Sequence, residues 1–286
     1  MIRFVVLVLA LLVPSLARAQ MVLAGHPVTA GLAQALLKDT PLTVEMVTPA
    51  AIPMTRQYSF LTGRGEAKFA EAARRADSVL TLRSAWAEDP LYPLARRANI
   101  RLVEIDAARP VDGALPGIAT RDGAVFPWLG IANAGRMADI VAADLRRLYP
   151  GHRGNIDANL AILKAALLDL SSRSARDFAT VDDVTVAALS DRYVLLAADL
   201  GLDTAHTWTL DDRDWTPEKL AELTATLKAG GIRVVLHHRR PAPEIVTAVA
   251  EGGASLVVLD SLESGLPVKL DEALARMAAQ ILVGLR

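Results

Sequence analysis

Few side chains in this sequence can hold a ligand or move a proton, and most of them stand where a short apolar run ends. His237 and His238 close the run at residues 232–236, Asp260 follows the run at residues 255–259, and Ser190 follows the one at residues 183–189. Each run alternates with helical periodicity and reads as a strand of a mostly parallel sheet, whose carboxyl ends are where ligands gather. Adjacent strand residues point to opposite faces, so only one of His237 and His238 can enter a crevice, and the two are a poor chelating pair. Asp260 is the best single ligand candidate. Ser190 reads as the cap of the helix that starts at Asp191, or as a nucleophile, although no Gly-x-Ser-x-Gly elbow surrounds it. His26, just before Pro27 at the end of the first strand, is a helix cap, a buried histidine or a ligand. Gly63-Arg64-Gly65 lacks both a preceding strand and a third glycine, so it reads as a turn and not a phosphate loop.

These residues need two scaffolds. In the first, strands at residues 21–24, 42–47, 78–82 and 100–105 alternate with helices at 29–37, 66–75 and 91–98. The loop 49–58, with Pro49, Pro53, Met54 and Tyr58, leaves the second strand on the crevice side. In the second, strands at 183–189, 206–210, 232–236 and 255–259 alternate with helices at 190–200, 217–229 and 243–250, before a terminal helix at about 270–285. Thr216 is the expected cap of the helix at 217–229, with Pro217 in its first position and Gly230-Gly231 at its end. Between the scaffolds, residues 133–178 carry no strand signal and read as two helices broken at Tyr149-Pro150-Gly151. Ile156, Leu160, Leu163, Leu167 and Leu170 keep one apolar stripe on the second of them. The expected architecture is α/β: two α/β lobes with mostly parallel sheets, joined by a long linking helix, with a ligand cleft between the lobes. The expected division is a leader at 1–19, an N-terminal lobe at 20–132, linking helices at 133–178 and a C-terminal lobe at 179–286. The apolar segment 124–130 precedes the linking helices, and its Phe126 and Trp128 are core aromatics or part of the crevice wall.

Arg3, an apolar run at residues 4–13 and Ala17-Arg18-Ala19 have the order of a cleavable secretory signal, and ten apolar residues are too few to span about 30 Å of hydrocarbon. No cysteine follows Ala19, which disfavours a lipid anchor. The whole sequence has no cysteine, which excludes disulfides, thiolate metal sites and thiol catalysis. With 31 basic and 32 acidic residues the chain lacks the concentrated positive charge that nucleic acid requires. A soluble, exported monomer is expected.

Taken together, these pieces resemble the periplasmic solute-binding proteins of zinc and manganese ABC importers. The resemblance covers essentially the whole mature chain. Pro49-Ala50-Ala51-Ile52-Pro53 looks like that family's Gly-Ala-Asp-Pro-His loop, and Phe126-Pro127-Trp128-Leu129 looks like its His-x-Trp-Leu segment. Leu148-Tyr149-Pro150 resembles its Asp-Pro helix break, Leu189-Ser190-Asp191 its Phe-His-Asp, and Val258-Leu259-Asp260-Ser261-Leu262 its strand-end Asp-Pro-Leu or Asp-Ser. The resemblance implies a permease and an ATPase as partners and a divalent metal between the lobes. Yet Met54, Phe126 and Ser190 stand where the family has histidines, and of its metal ligands only the carboxylate remains, as Asp260. A phenyl ring cannot coordinate zinc, and a hydroxyl or thioether is a poor ligand for it, although a thioether suits copper(I). A rebuilt site would draw on His26, one of His237 and His238, and Asp260. The functional expectation is therefore capture of a metal ion or metal complex for an importer, with zinc and manganese held far more weakly than in an ordinary member. The alternative is an organic solute bound against Phe126, Trp128 and Tyr58, or an accessory role.

Overall fold

The computed structural model describes residues 20–111, 113, 115–119 and 126–286. The expected signal peptide and residues 124 and 125 of the apolar segment lie outside the described residues.

The first lobe is built on β1 (Met21–Ala24), β2 (Thr43–Met46), β3 (Ser78–Thr81) and β4 (Val103–Asp106), all parallel, in the order β2-β1-β3-β4. The two central strands are buried along their whole length, whereas the edge strands are only partly covered. This is the pattern of a parallel sheet flanked by helices. The helices are α1 (Pro27–Leu36), α2 (Gln57–Leu61), α3 (Glu66–Arg75) and α4 (Leu91–Ala98). The fourth strand begins three residues later than its apolar run predicts. Asn99 explains the delay: its amide donates to the Ala73 and Ala76 carbonyls while its side-chain oxygen accepts from the Arg101 N–H, so the chain turns here and leaves Ile100 exposed.

The linking helices are α5 (Ile131–Leu148) and α6 (Arg153–Phe178). The break falls at Tyr149, followed by a single 3-10 turn over Pro150–His152, where proline has no N–H to continue the helix. The Tyr149 hydroxyl is hydrogen-bonded to Ser78 Oγ at 2.9 Å, which pins the break to β3. At 26 residues α6 is about 39 Å long. Ile156, Leu163, Leu167 and Leu170 of its stripe are buried and Leu160 packs at its edge.

The second lobe repeats the first: β5 (Thr185–Ala188), β6 (Asp203–Thr207), β7 (Val234–His237) and β8 (Ser255–Val258) run parallel in the order β6-β5-β7-β8. Around them lie α7 (Val194–Asp199), α8 (Pro217–Gly230), α9 (Pro243–Glu251) and α10 (Leu270–Leu285). Thr216 caps α8 as expected, its Oγ1 accepting from the Lys219 N–H at 3.4 Å. At the other end Gly231 takes φ 61°, and the N–H groups of Gly231 and Ile232 close onto Lys228 and Leu227. Ile232 is thereby consumed by the helix end, and β7 starts only at Val234. Strand β6 lies at 203–207, earlier than the expected 206–210, because it is an exposed polar edge with no apolar run to mark it.

One large apolar cluster joins both lobes. It takes Val22 and Leu80 from the first sheet, Val186, Val234 and Leu236 from the second, and the inner faces of α1, α5, α6 and α10. Smaller clusters lie on the outer side of each sheet.

Candidate ligand site between the lobes

The carboxyl ends of the strands carry the candidate residues. His26 follows β1, Met54 opens a 3-10 turn in the loop after β2, Ser190 follows β5, His237 ends β7 with His238 just beyond it, and Asp260 follows β8. The segment after β8 does not stay with its own lobe. It crosses to the first lobe, where the Met54 N–H donates to the Glu263 carbonyl at 3.2 Å, the Gly265 N–H to the Ala50 carbonyl at 2.9 Å and the Val268 N–H to the Pro27 carbonyl at 3.1 Å. The Trp128 indole N–H donates to the Ser261 carbonyl at 2.9 Å. Residues 261–268 are therefore a strap that fastens one lobe to the other.

Under the strap lies a cluster centred on Arg192. Ser190 Oγ accepts from the Arg192 N–H at 3.3 Å, so Ser190 is the cap of a 3-10 turn that leads into α7, as one of its sequence readings held. The guanidinium returns to the same Oγ at 3.4 Å and donates twice to the Glu263 carboxylate, from Nε at 3.0 Å and Nη2 at 3.3 Å. The Ser261 hydroxyl donates to that carboxylate as well. Across the lobe boundary, the guanidinium carbon lies 4.4 Å from the centre of the Phe126 ring, a cation-π contact. The side chains of Arg192 and Glu263 are only 22% and 17% exposed. Next to them, the Tyr193 hydroxyl donates to the Leu259 carbonyl, and burial raises its pKa.

The expected metal donors are not assembled. His26 is the N-cap of α1: its Nδ1 accepts from the Val28 N–H at 3.3 Å, its ring lies 4.7 Å from that of Trp128, and its Nε2 has no partner. It is 1% exposed, and burial lowers its pKa to about 3, so it is neutral at pH 7. Asp260 is exposed, and its Oδ1 accepts from the Leu262 N–H at 2.8 Å, so the carboxylate starts the strap by fixing a local turn. The rings of His237 and His238 meet edge to face with centres 4.5 Å apart, so they do not point to opposite faces as expected, because His238 lies just past the end of β7. Burial lowers both to about pKa 4, with further lowering from the charges of Arg239 and Arg192. Arg239 itself turns away to a two-pronged pair with Asp212 at 2.7 and 2.9 Å. Among the described residues no three His, Asp or Glu side chains form a group that could hold a metal ion. Of the three expected donors, His26 is engaged in a helix cap and Asp260 in a turn.

The aromatic candidates divide. Trp128 has no exposed surface and seals the core beneath the strap, so of its two readings the core one holds. Phe126, 8% exposed, lies under the guanidinium, and Tyr58 is 58% exposed. Met54 and Ser190 are each 4% exposed and take part in the junction. Sequence reasoning missed Arg192 and Glu263. The available signal was their position, two residues after a strand-end cap and three after a strand-end Asp.

The profile of the family described as zinc-uptake complex component A, periplasmic, matches residues 91–280. The chain belongs to this family. No curated protein sequence matches it significantly. Among solved structures, it is similar to the zinc-bound ZnuA-like domain of AdcA from Streptococcus pneumoniae, with a TM-score of 0.72 at 17% identity over 94% of this chain and 99% of that one. A mutant of the manganese-bound periplasmic metal binding protein from Candidatus Liberibacter asiaticus gives 0.71 at 18% identity over 93% and 100%. FpvC from Pseudomonas aeruginosa in complex with manganese gives 0.67 at 17% identity over 94% and 98%. Family and fold together give this member of the zinc-uptake component A family a solute-binding role in a metal-type ABC importer, and it is a binding protein and not an enzyme. The family is periplasmic. Among the described residues no helix is long and apolar enough to cross a membrane.

Proposed function

We propose that the protein is exported by cleavage after Ala19, holds its cargo at the junction of the two lobes, and delivers it to an importer's permease and ATPase. The cargo that suits this junction is a metal complex or a small organic solute and not a bare zinc or manganese ion. One observation carries this reading: Ser190 and Phe126, two of the positions where the family has histidines, are in contact with the Arg192 guanidinium, which is already paired with Glu263. A fixed positive charge within a few ångströms opposes a divalent cation and favours a ligand with anionic or aromatic groups.

The delivery step is tested with the purified mature protein and its permease–ATPase complex in lipid nanodiscs. Addition of the protein is expected to raise the ATPase rate in a saturable way. A rate that stays flat, together with no complex in pull-down, would contradict the importer role.

A further inference from the structure

We infer that Arg192 is the residue that discriminates against metal ions at this junction, its guanidinium serving as an internal cation between Ser190, Phe126 and Glu263. The inference rests on the reading above that the junction is the cargo site.

A cation at this point has four contacts. The Glu263 carboxylate receives two guanidinium hydrogen bonds, Ser190 Oγ receives a third, and the face of the Phe126 ring lies 4.4 Å beneath. All the contacting groups are acceptors or carry negative partial charge, so the pocket is built for positive charge. Ser261 orients the carboxylate from the other side and is itself fixed by the Trp128 indole. His238 is half-buried within electrostatic reach of both Arg192 and Glu263, and its Nδ1 has no partner. With the guanidinium removed, the Glu263 carboxylate and the Ser190 hydroxyl would face a space that attracts cations, with the His238 imidazole within electrostatic reach. With it present, the Glu263 carboxylate is already paired, and an incoming metal would meet the like charge of the guanidinium. Arginine holds this state permanently, because it does not lose its proton in the accessible pH range.

The test replaces the cation by neutral side chains of two kinds. Arg192→Leu keeps apolar contact with Phe126, and Arg192→Gln keeps a hydrogen-bond donor for Glu263. Each is stripped with chelator, checked for folding by thermal unfolding, and titrated by calorimetry with zinc chloride alone and with manganese chloride alone, beside the unaltered protein. Zinc affinity is expected to rise by at least about a hundredfold in one or both folded variants, and adding Glu263→Gln should abolish the gain. Two results would overturn the proposal: stoichiometric zinc binding by the unaltered protein as tight as in the variants, or folded variants that bind no more tightly than it does. A gain that survives Glu263→Gln would place the metal elsewhere and overturn it as well. The titration involves no transporter, so failure of ATPase stimulation in nanodiscs refutes the importer reading without touching this one.

Discussion

His26, a cap, a buried histidine or a ligand by its sequence, is part of the framework. Its Nδ1 satisfies an N–H at the start of α1, where a free donor would otherwise be buried. The cost of this arrangement falls at acid pH. Its folded pKa of about 3 lies below the ordinary 6.5, so between those values the unfolded chain binds the extra proton and stability falls as pH is lowered. His237 and His238, at about 4, add to the same slope between pH 6.5 and 4. His26 alone is expected to remove on the order of 3–5 kcal/mol on going from pH 7 to pH 3. His26→Asn keeps a capping acceptor without a titratable ring. Denaturant unfolding at pH 7 and pH 4.5 should show a shallower loss for this variant than for the unaltered protein, and an identical loss would mean that another group carries the acid sensitivity. Of the site, the strand-end positions were legible in the sequence. What happened at them was not, because the identity of each side chain's partner depends on where the strap lands. Asp260 and Glu263 are carboxylates three residues apart, yet one fixes a turn and the other pairs with the cation.

At the scale of elements, the sequence was most readable where burial is regular. The break at Tyr149-Pro150-Gly151, the α6 stripe and the caps at Thr216 and Gly231 were all found from residue type and spacing. Edges were least readable: β6 is wholly exposed, and β4 and β7 begin late because turn and helix-end hydrogen bonds claim their first residues. The strap left almost no trace, since apart from the Trp128 indole its ties to the first lobe are backbone groups that any sequence could supply. One residue does register it by having no side chain. Gly31 in α1 lies so close that a Cβ there would sit 1.8 Å from the Val268 carbonyl oxygen, which is backbone and cannot rotate away. Gly31→Ala must therefore push the strap off α1, at a cost of about 1–3 kcal/mol or more. The expected outcome is a lower melting temperature together with new protease cleavage within residues 261–268. A variant that melts like the parent and resists cleavage would show that the strap is not held against α1.

For the molecule as a whole, the strap, the Arg192 cluster and the shared core make one statement about motion. Two lobes of identical strand order are joined by a helix of about 39 Å, and the largest apolar cluster runs through both sheets. Opening the junction would break the backbone ties at Ala50, Met54 and Pro27, the Trp128 hydrogen bond and the Arg192–Phe126 contact together. A ligand shifts a conformational equilibrium only by its difference in affinity for the two states, and an ion with no donor cage has little such difference. The central claim is thus that the protein's own groups, and not a metal, close this junction. The most direct measurement is the distance between spin labels on the two lobes. Because the sequence has no cysteine, Lys68→Cys and Glu222→Cys, both at exposed helix positions, can be labelled without competition. The prediction is a single narrow distance in chelator that does not change when zinc or manganese is added. A broad distribution in chelator that shortens and narrows with either metal would contradict the account.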